Sequence, residues 1–282
     1  MVESVQSPWL RQHGDTAWMM GVLNCTPDSF SDGGRYTQMD CAVQHGLSMW
    51  QDGAAIIDVG GESTRPGAQN ICIEEEQQRV IPVIRALVAH GCKVSIDTRK
   101  AAVMQAAIDA GACMVNDVTA LTWHHESLPL VAATGVDVCL MHMQGTPETM
   151  QVQPSYQHVV HDVRDYLEQR VEACVQAGVA TSSIVLDPGI GFGKRLEDNL
   201  DLLMQLDVLK QYFKLPLLLG VSRKSLIAGL TGAPVGDREL ETAMLNGLGI
   251  YLGVDGVRVH DVAQQKRACV LASTCTDVRP KH

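Results

Sequence analysis

Eight apolar runs of strand length punctuate the chain: WMMGVLN, AAIIDVGG, CKVSID, CMVND, VDVCLMH, SIVLDPG, LPLLLGVS and GVRVH. Val, Ile and Leu dominate them without polar alternation, the pattern of strands buried on both faces. Between the runs the spacing predicts helices, among them Glu74 to His90, Tyr156 to Ala177 and Glu239 to Leu252. Strand followed by helix, repeated about eight times, predicts an α/β protein whose parallel strands close into a single (β/α)8 TIM barrel spanning residues 18–282. Residues 1–17 precede the first run and are expected to form an N-terminal extension capping the bottom of the barrel. No low-complexity tract or Pro/Ser-rich linker divides the chain.

The carboxyl end of each run carries the chemistry. Asn24, Glu62, Asp97, Asn116 with Asp117, His142, Asp187, Ser222 with Arg223 and Lys224, and Arg258 with His260 stand there, while the opposite ends are bland. A barrel of this class builds its site from the carboxyl ends of several strands and the loops after them. An open doubly wound sheet also binds ligands beyond its strand carboxyl ends, so the pattern points to a site more strongly than to one fold.

Several stretches name candidate roles. CTPDSFSDGG follows Asn24: Pro27 and Asp28 favour a turn, Gly33 and Gly34 give backbone freedom, and Phe30 with Asp32 sits in a loop able to fold over a ligand. DVGGESTRPGA repeats the design, with Thr64 as a hydroxyl donor, Pro66, and Arg65 able to fork onto phosphate or carboxylate oxygens. Each loop alone is also compatible with an ordinary surface turn. Asp58, inside its strand, reads as a satisfied barrel-interior carboxylate rather than a catalyst. Asp97, Asn116 and Asp187, each at a strand end, would converge on a pocket of acceptors plus an amide, which suits a flat heterocycle with several N–H donors. Helix capping explains any one of them singly.

GVSRKSLIAGL starts a helix near Ser225, whose N–H groups favour an anion, and Lys224 projects beside it. That lysine is equally compatible with a Schiff base or a solvated charge. Arg258 and His260, two residues apart on one side of a strand, make an anion clamp, although a lone histidine is often structural. DPGIGFGK departs from a phosphate loop at Pro188 and Arg195, and the histidines have no zinc spacing. Mg²⁺ stays open, since it often rides on substrate phosphates.

Composition narrows the partners. The formal net charge is −10, with no Lys/Arg run to track a phosphate backbone, so nucleic acid is not expected. Nine cysteines form no CxxC pair and fall mostly in apolar runs, the usage of a reducing cytoplasm. The start MVESVQSPWLRQHGD lacks signal-peptide character and no apolar run approaches membrane-spanning length, so no membrane association is expected.

Taken in order, NCTPDSFSDGG, DVGGESTRPGA, IDT, NDV, CLMHMQGTP, LDPGIGFGK, GVSRKS and RVHD resemble the dihydropteroate synthase family, from about residue 19 to 262. The resemblance implies a pterin-binding barrel that joins 6-hydroxymethyl-7,8-dihydropterin diphosphate to 4-aminobenzoate, giving 7,8-dihydropteroate and pyrophosphate for folate synthesis. It also implies Mg²⁺ and a homodimer. Carried over by position, Asp97, Asn116, Asp187 and Lys224 match the pterin pocket and Asn24 the magnesium ligand. Arg65, Arg258 and His260 match the diphosphate contacts, and Thr64, Pro66 and Ser225 surround aminobenzoate. Asp97, anionic beneath the ring, would stabilise a pterin cation formed before the amine attacks. Phe30, Asp32 and Arg65, on the two loops, would then exclude water. Sulfonamides, which mimic aminobenzoate, are expected to compete. Cys25, Arg99 and Thr119 depart from the family pattern, and Arg99 is expected to alter the electrostatics beside Asp97. Rival readings are a methyltetrahydrofolate-handling methyltransferase domain, a catalytically silent pterin-binding module and a Lys224 Schiff-base aldolase.

Overall fold

The computed structural model describes residues 7–12, 14–26, 35–63 and 70–278. Each predicted run contains a strand: β1 (Trp18–Asn24), β2 (Ile56–Gly60), β3 (Val94–Asp97), β4 (Met114–Asp117), β5 (Asp137–Met141), β6 (Ile184–Asp187), β7 (Leu218–Leu219) and β8 (Gly256–Val259). All pairings are parallel, in the order β6-β5-β4-β3-β2-β1-β8-β7. The two ends meet where the Leu186 N–H donates to the Pro216 carbonyl at 2.9 Å and Leu186 bridges Leu217. The strands thus form a nearly closed (β/α)8 TIM barrel.

Ten helices among the described residues surround it: α1 (Arg35–Asp52), α2 (Ile73–Ala89), α3 (Ala101–Asp109), α4 (Ser127–Thr134), α5 (Val159–Gln176), α6 (Leu196–Met204), α7 (Leu206–Phe213), α8 (Ser225–Thr231), α9 (Glu239–Tyr251) and α10 (Val262–Asp277). The main core fills the ring between strands and helices, with Leu23, Ile57, Ile96, Val115, Leu140 and Leu186 meeting Ile84, Val103, Leu167 and Leu202. Burial on both faces is why the strand sequences do not alternate.

Two elements differ from the sequence expectation. Helix α5 begins at Val159, three residues after Tyr156, because the preceding segment is held elsewhere. Gln144 exchanges side-chain hydrogen bonds with the Ser155 backbone, and the Tyr156 hydroxyl donates to the Gly193 carbonyl at 2.5 Å. Strand β7 has two residues although its apolar run has eight. The Asp255 carboxylate takes the Leu217 N–H at 2.8 Å, in place of a ladder bond, and the strand ends at Leu219, before Gly220. The cysteines also divide. Cys92, Cys139, Cys174 and Cys269 are buried as small hydrophobes, but Cys41, Cys72 and Cys275 are exposed on helical positions or a helix start.

Inside the barrel a separate apolar layer joins Met20, Ile56, Met114, Cys139, Val185 and Leu218 to Trp9. Trp9 lies across the amino-terminal strand ends. Its indole N–H donates to Asp137 at 2.8 Å, and its carbonyl accepts from the Trp18 indole at 2.9 Å. The Arg11 N–H reaches Asp255 at 3.0 Å, just before β8. This end of the barrel is therefore filled, and any cup must open at the other.

Candidate active site

Alternate residues of a strand face the same side, so the inward set that begins with Met20 and Ile56 continues upward as Asp58 and Gly60. Register carries the same level around the barrel: Asp58 opposes Ser95, Gly60 opposes Asp97, and Asp97 opposes Asn116. Arg258 of β8 crosses the interior to this group. Its Nε donates to Asp58 Oδ2 and its Nη2 to Asp97 Oδ2, both at 2.7 Å. Asn116 Nδ2 donates to Asp58 at 2.9 Å, and Ser95 Oγ donates to the other Asp58 oxygen.

Charge is concentrated here against the cost of burial. Desolvation lifts the Asp97 carboxyl to about 7, with Asp58, Glu76 and Asp117 adding to the rise and Arg258 opposing it. Burial alone would loosen the Arg258 proton, but Asp58 and Asp97 outweigh that and hold the guanidinium above its ordinary range. An arginine with two carboxylates on its Nε and Nη2 is no longer a whole fork for an incoming anion. The expected Arg258–His260 clamp is thus divided: Arg258 braces the floor, while His260 follows β8 and pairs its Nδ1 with Ser222 Oγ at 2.9 Å.

Asp187 and Lys224 form the adjacent wall. Asp187 Oδ2 and Lys224 Nζ each lie 3.6 Å from the point where a side chain on Gly220 would begin, with the Arg258 Cβ at 3.9 Å. Burial raises the Asp187 carboxyl, against the pull of Lys224. Burial lowers Lys224 to about 8, against the pull of Asp187. The lysine also donates to the Ile190 carbonyl and stands 4.4 Å over the Phe192 ring. Ser225, the first residue of α8, is exposed beside it.

The DPGIGFGK segment is held by Lys194, which is buried with 3% of its surface exposed. Its ammonium donates to the carbonyls of Gly189 and Phe192 at 2.8 and 3.1 Å and meets His142 Nδ1 at 2.9 Å. Burial and the neighbouring Lys194 push His142 down to about 2, so the imidazole is neutral and accepts. Gly189 has φ +71°, and a Cβ there would stand 1.8 Å from the His142 carbonyl, so this approach admits glycine alone. The motif that imitates a phosphate loop is therefore an internally tied support for Asp187 and Lys224. Val118, Met141, Met143 and Met150, with Phe192 packed on them, make an apolar cluster beside it.

The mouth is completed by residues of mixed roles. Asn24 ends β1, half-buried and opposite Gly60. Asp117 turns away to accept from Thr119 N and Oγ1 and from Leu121 N, shaping the β4–α4 connection. Arg99 does not act chiefly on Asp97 as expected. It pairs with Glu62 at 3.3 Å, donates to Asn70 and lies 4.1 Å over Trp123. Glu62 also binds Lys100 and the Ile71 N–H at 2.8 and 3.0 Å; although burial opposes it, these bonds lower its pKa. Phe30, Asp32, Thr64, Arg65 and Pro66 lie outside the described residues.

The structure brings Asp97, Asn116, Asp187, Lys224 and Arg258 to one mouth, with His260 and Asn24 on strand ends around it. Sequence reasoning passed over Ser95, placed Ser222 at a strand end and Phe192 and Lys194 in a phosphate-loop look-alike without giving any of them a contact, and read Asp58 as a satisfied interior carboxylate, which it is. Period-two spacing from Asp97 and Arg258 along their strands was the signal that could have drawn Ser95 and the interior layer together. Chemically, the site offers carboxylate and amide acceptors over a cationic brace, beside an apolar wall, suiting a flat polar heterocycle.

The model of the family described as pterin binding enzyme matches residues 20–260. The chain belongs to the pterin binding enzyme family. The chain is 44% identical over 251 residues to the dihydropteroate synthase of Escherichia coli K12, covering 89% of this chain and 88% of that protein. It superposes with TM-score 0.87 and 42% identity on a Yersinia pestis dihydropteroate synthase crystallised with a sulfonamide drug complex, covering 92% and 94% of the two chains. A Xanthomonas albilineans dihydropteroate synthase with 4-aminobenzoic acid gives the same TM-score and identity, covering 94% and 95%.

Proposed function

We infer that the chain catalyses the dihydropteroate synthase reaction: 6-hydroxymethyl-7,8-dihydropterin diphosphate and 4-aminobenzoate give 7,8-dihydropteroate and pyrophosphate. The observation that carries the reading is the convergence of Asp97, Asn116, Asp187 and Lys224 on an Arg258-braced floor, in a chain related along most of its length to dihydropteroate synthases. Asp187 and the Asn116 amide suit the N–H donors of a pterin, and the Met141–Met143–Phe192 cluster suits its ring faces.

The substitution runs through departure of the leaving group. The bond from the pterin methylene to diphosphate oxygen breaks, its electron pair leaving with diphosphate, and the methylene becomes cationic. Asp97 beneath the ring stabilises that cation, and Arg258 keeps the carboxylate in place. The amine nitrogen of aminobenzoate then forms the new bond and releases a proton. Lys224 and His260 face the departing oxygens, with Ser222 orienting the imidazole. Thr64, Arg65, Pro66, Phe30 and Asp32 belong to this reading as loop residues that receive aminobenzoate and exclude water, and Ser225 as a neighbour of its carboxylate.

Mg²⁺ fits as an ion carried by substrate. Among the described residues no cluster of three His, Cys, Asp or Glu side chains offers a resident site. Asn24 supplies one hard amide oxygen at the mouth, the donor set of an ion that keeps waters and substrate phosphates as its other ligands. When bound, Mg²⁺ would neutralise charge on the leaving diphosphate. A second copy of the chain would cover the exposed Leu240, Met244 and Leu271 on α9 and α10, giving a homodimer. A cytoplasmic location is part of this reading on the cysteine usage, and among the described residues no helix is long and apolar enough to cross a membrane.

The test mixes purified protein, Mg²⁺, the pterin diphosphate and 4-aminobenzoate and follows pyrophosphate and dihydropteroate. Stoichiometric formation of both, slowed competitively by a sulfonamide against aminobenzoate, is the expected result. Pterin binding without product would return the chain to a silent binding module.

A further inference from the structure

We propose that Asp58 is a positioning residue that orients Arg258 and Asn116 toward the pterin, rather than an inert filling of the barrel. The proposal rests on the reaction inferred above. Asp58 is fully buried in β2, two residues below the mouth, and does not itself reach the cup. Three donors from three other strands end on it: Ser95 Oγ of β3, Asn116 Nδ2 of β4 at 2.9 Å and Arg258 Nε of β8 at 2.7 Å.

The arrangement fixes what remains for substrate. An asparagine amide has a donor end and an acceptor end. With its NH₂ committed to Asp58, Asn116 keeps its carbonyl oxygen for the cup, where it would accept from a pterin N–H. The Arg258 guanidinium is planar, so anchoring Nε to Asp58 sets the plane in which Nη2 meets Asp97. One carboxylate thus orders the acceptor of one strand and the cation of another.

Asp58 also acts on Asp97 electrostatically. The groups facing Asp97 are Arg258 of β8, Asp58 of β2, Glu76 of α2 and Asp117 of β4; the three carboxylates raise its pKa and Arg258 lowers it. Removing the charge at position 58 therefore changes the ionisation of Asp97 as well as the grip on Arg258. An effect of the substitution on stability alone would leave that ionisation untouched.

Asp58→Asn keeps the shape and removes the charge. Charge-assisted hydrogen bonds are about twice as strong as neutral ones. The expected result is a loss of at least about tenfold in kcat/KM for the pterin diphosphate. KM for 4-aminobenzoate at saturating pterin stays within about twofold. The acid limb of the kcat/KM profile moves to lower pH. Should that variant fail to fold, Ser95→Ala removes one tether of Asp58 and is expected to cost about threefold in the same parameter. Unchanged kcat/KM for the pterin in both variants overturns the proposal. So does a loss shared equally by both substrates with an unmoved pH profile. Wild-type protein that binds a pterin but makes no product overturns the inferred reaction instead, and direct pterin titration of Asp58→Asn still tests the positioning role.

Discussion

The two ends of the barrel use the same eight strands for opposite purposes. At the amino end Trp9, Met20, Ile56, Cys139 and Leu218 pack into an apolar layer, and the indole N–H groups of Trp9 and Trp18 each find an acceptor. At the carboxyl end Asp58, Asp97 and Asp187 are just as buried, yet they face one another across Arg258 and Lys224, and burial drives their chemistry. The lower end gains from desolvation, whereas the upper end bears its cost in exchange for carboxylates and cations held ready. Parallel strands all point the same way, so stability and reactivity can be separated along one axis.

The largest effect that tests this separation belongs to Trp9→Ala. Emptying the lower layer should destabilise the protein by about 3–5 kcal/mol in urea unfolding while leaving KM for both substrates unchanged. A large shift in pterin KM would show that the ends are coupled. Asp97→Asn is the converse. It should lower kcat by about 10²-fold with little change in pterin affinity and little loss of stability. Equal loss of turnover and binding would reduce Asp97 to an anchor.

A smaller effect sharpens the comparison through pH. Burial raises Asp97 to about 7, so below that pH the carboxyl carries its proton and cannot stabilise a pterin cation. Accordingly kcat/KM for the pterin diphosphate should rise as pH passes through 7 and fall about tenfold per unit well below it. The limb assigned to Asp97 should vanish in Asp97→Asn. A flat profile from pH 5.5 to 8 in the wild type, a range chosen to span roughly that midpoint, would place the ionisation elsewhere.

Much of the site was legible because strand ends are local facts. Asp97 and Asp187 close their strands, Asn116 and Arg258 stand one residue before the ends of theirs, and the barrel rule alone sends all four toward one face. What eluded sequence reasoning was the division of labour among them. Arg258 read as an anion clamp is in the structure chiefly a brace between two carboxylates, and Lys194 read as part of a spoiled phosphate loop is a buried tie. Arg99, two residues from Asp97, stays buried but meets Glu62 and Trp123 instead, since β3 ends at Asp97 and the period-two rule does not extend into the loop after it.

The sequence by itself determined the alternation of buried strands with helices, the polar bias toward strand carboxyl ends, and the family to which those ordered motifs point. The first two follow from periodicity and chain direction, which need no knowledge of distant neighbours, and the third is a resemblance carried by the ordered motifs. Only the tertiary structure decided which donor meets which acceptor. Asp58 and Arg258 stand 200 positions apart, and their pairing exists because closing the barrel sets them within hydrogen-bond reach inside a medium too dry to leave either charge alone.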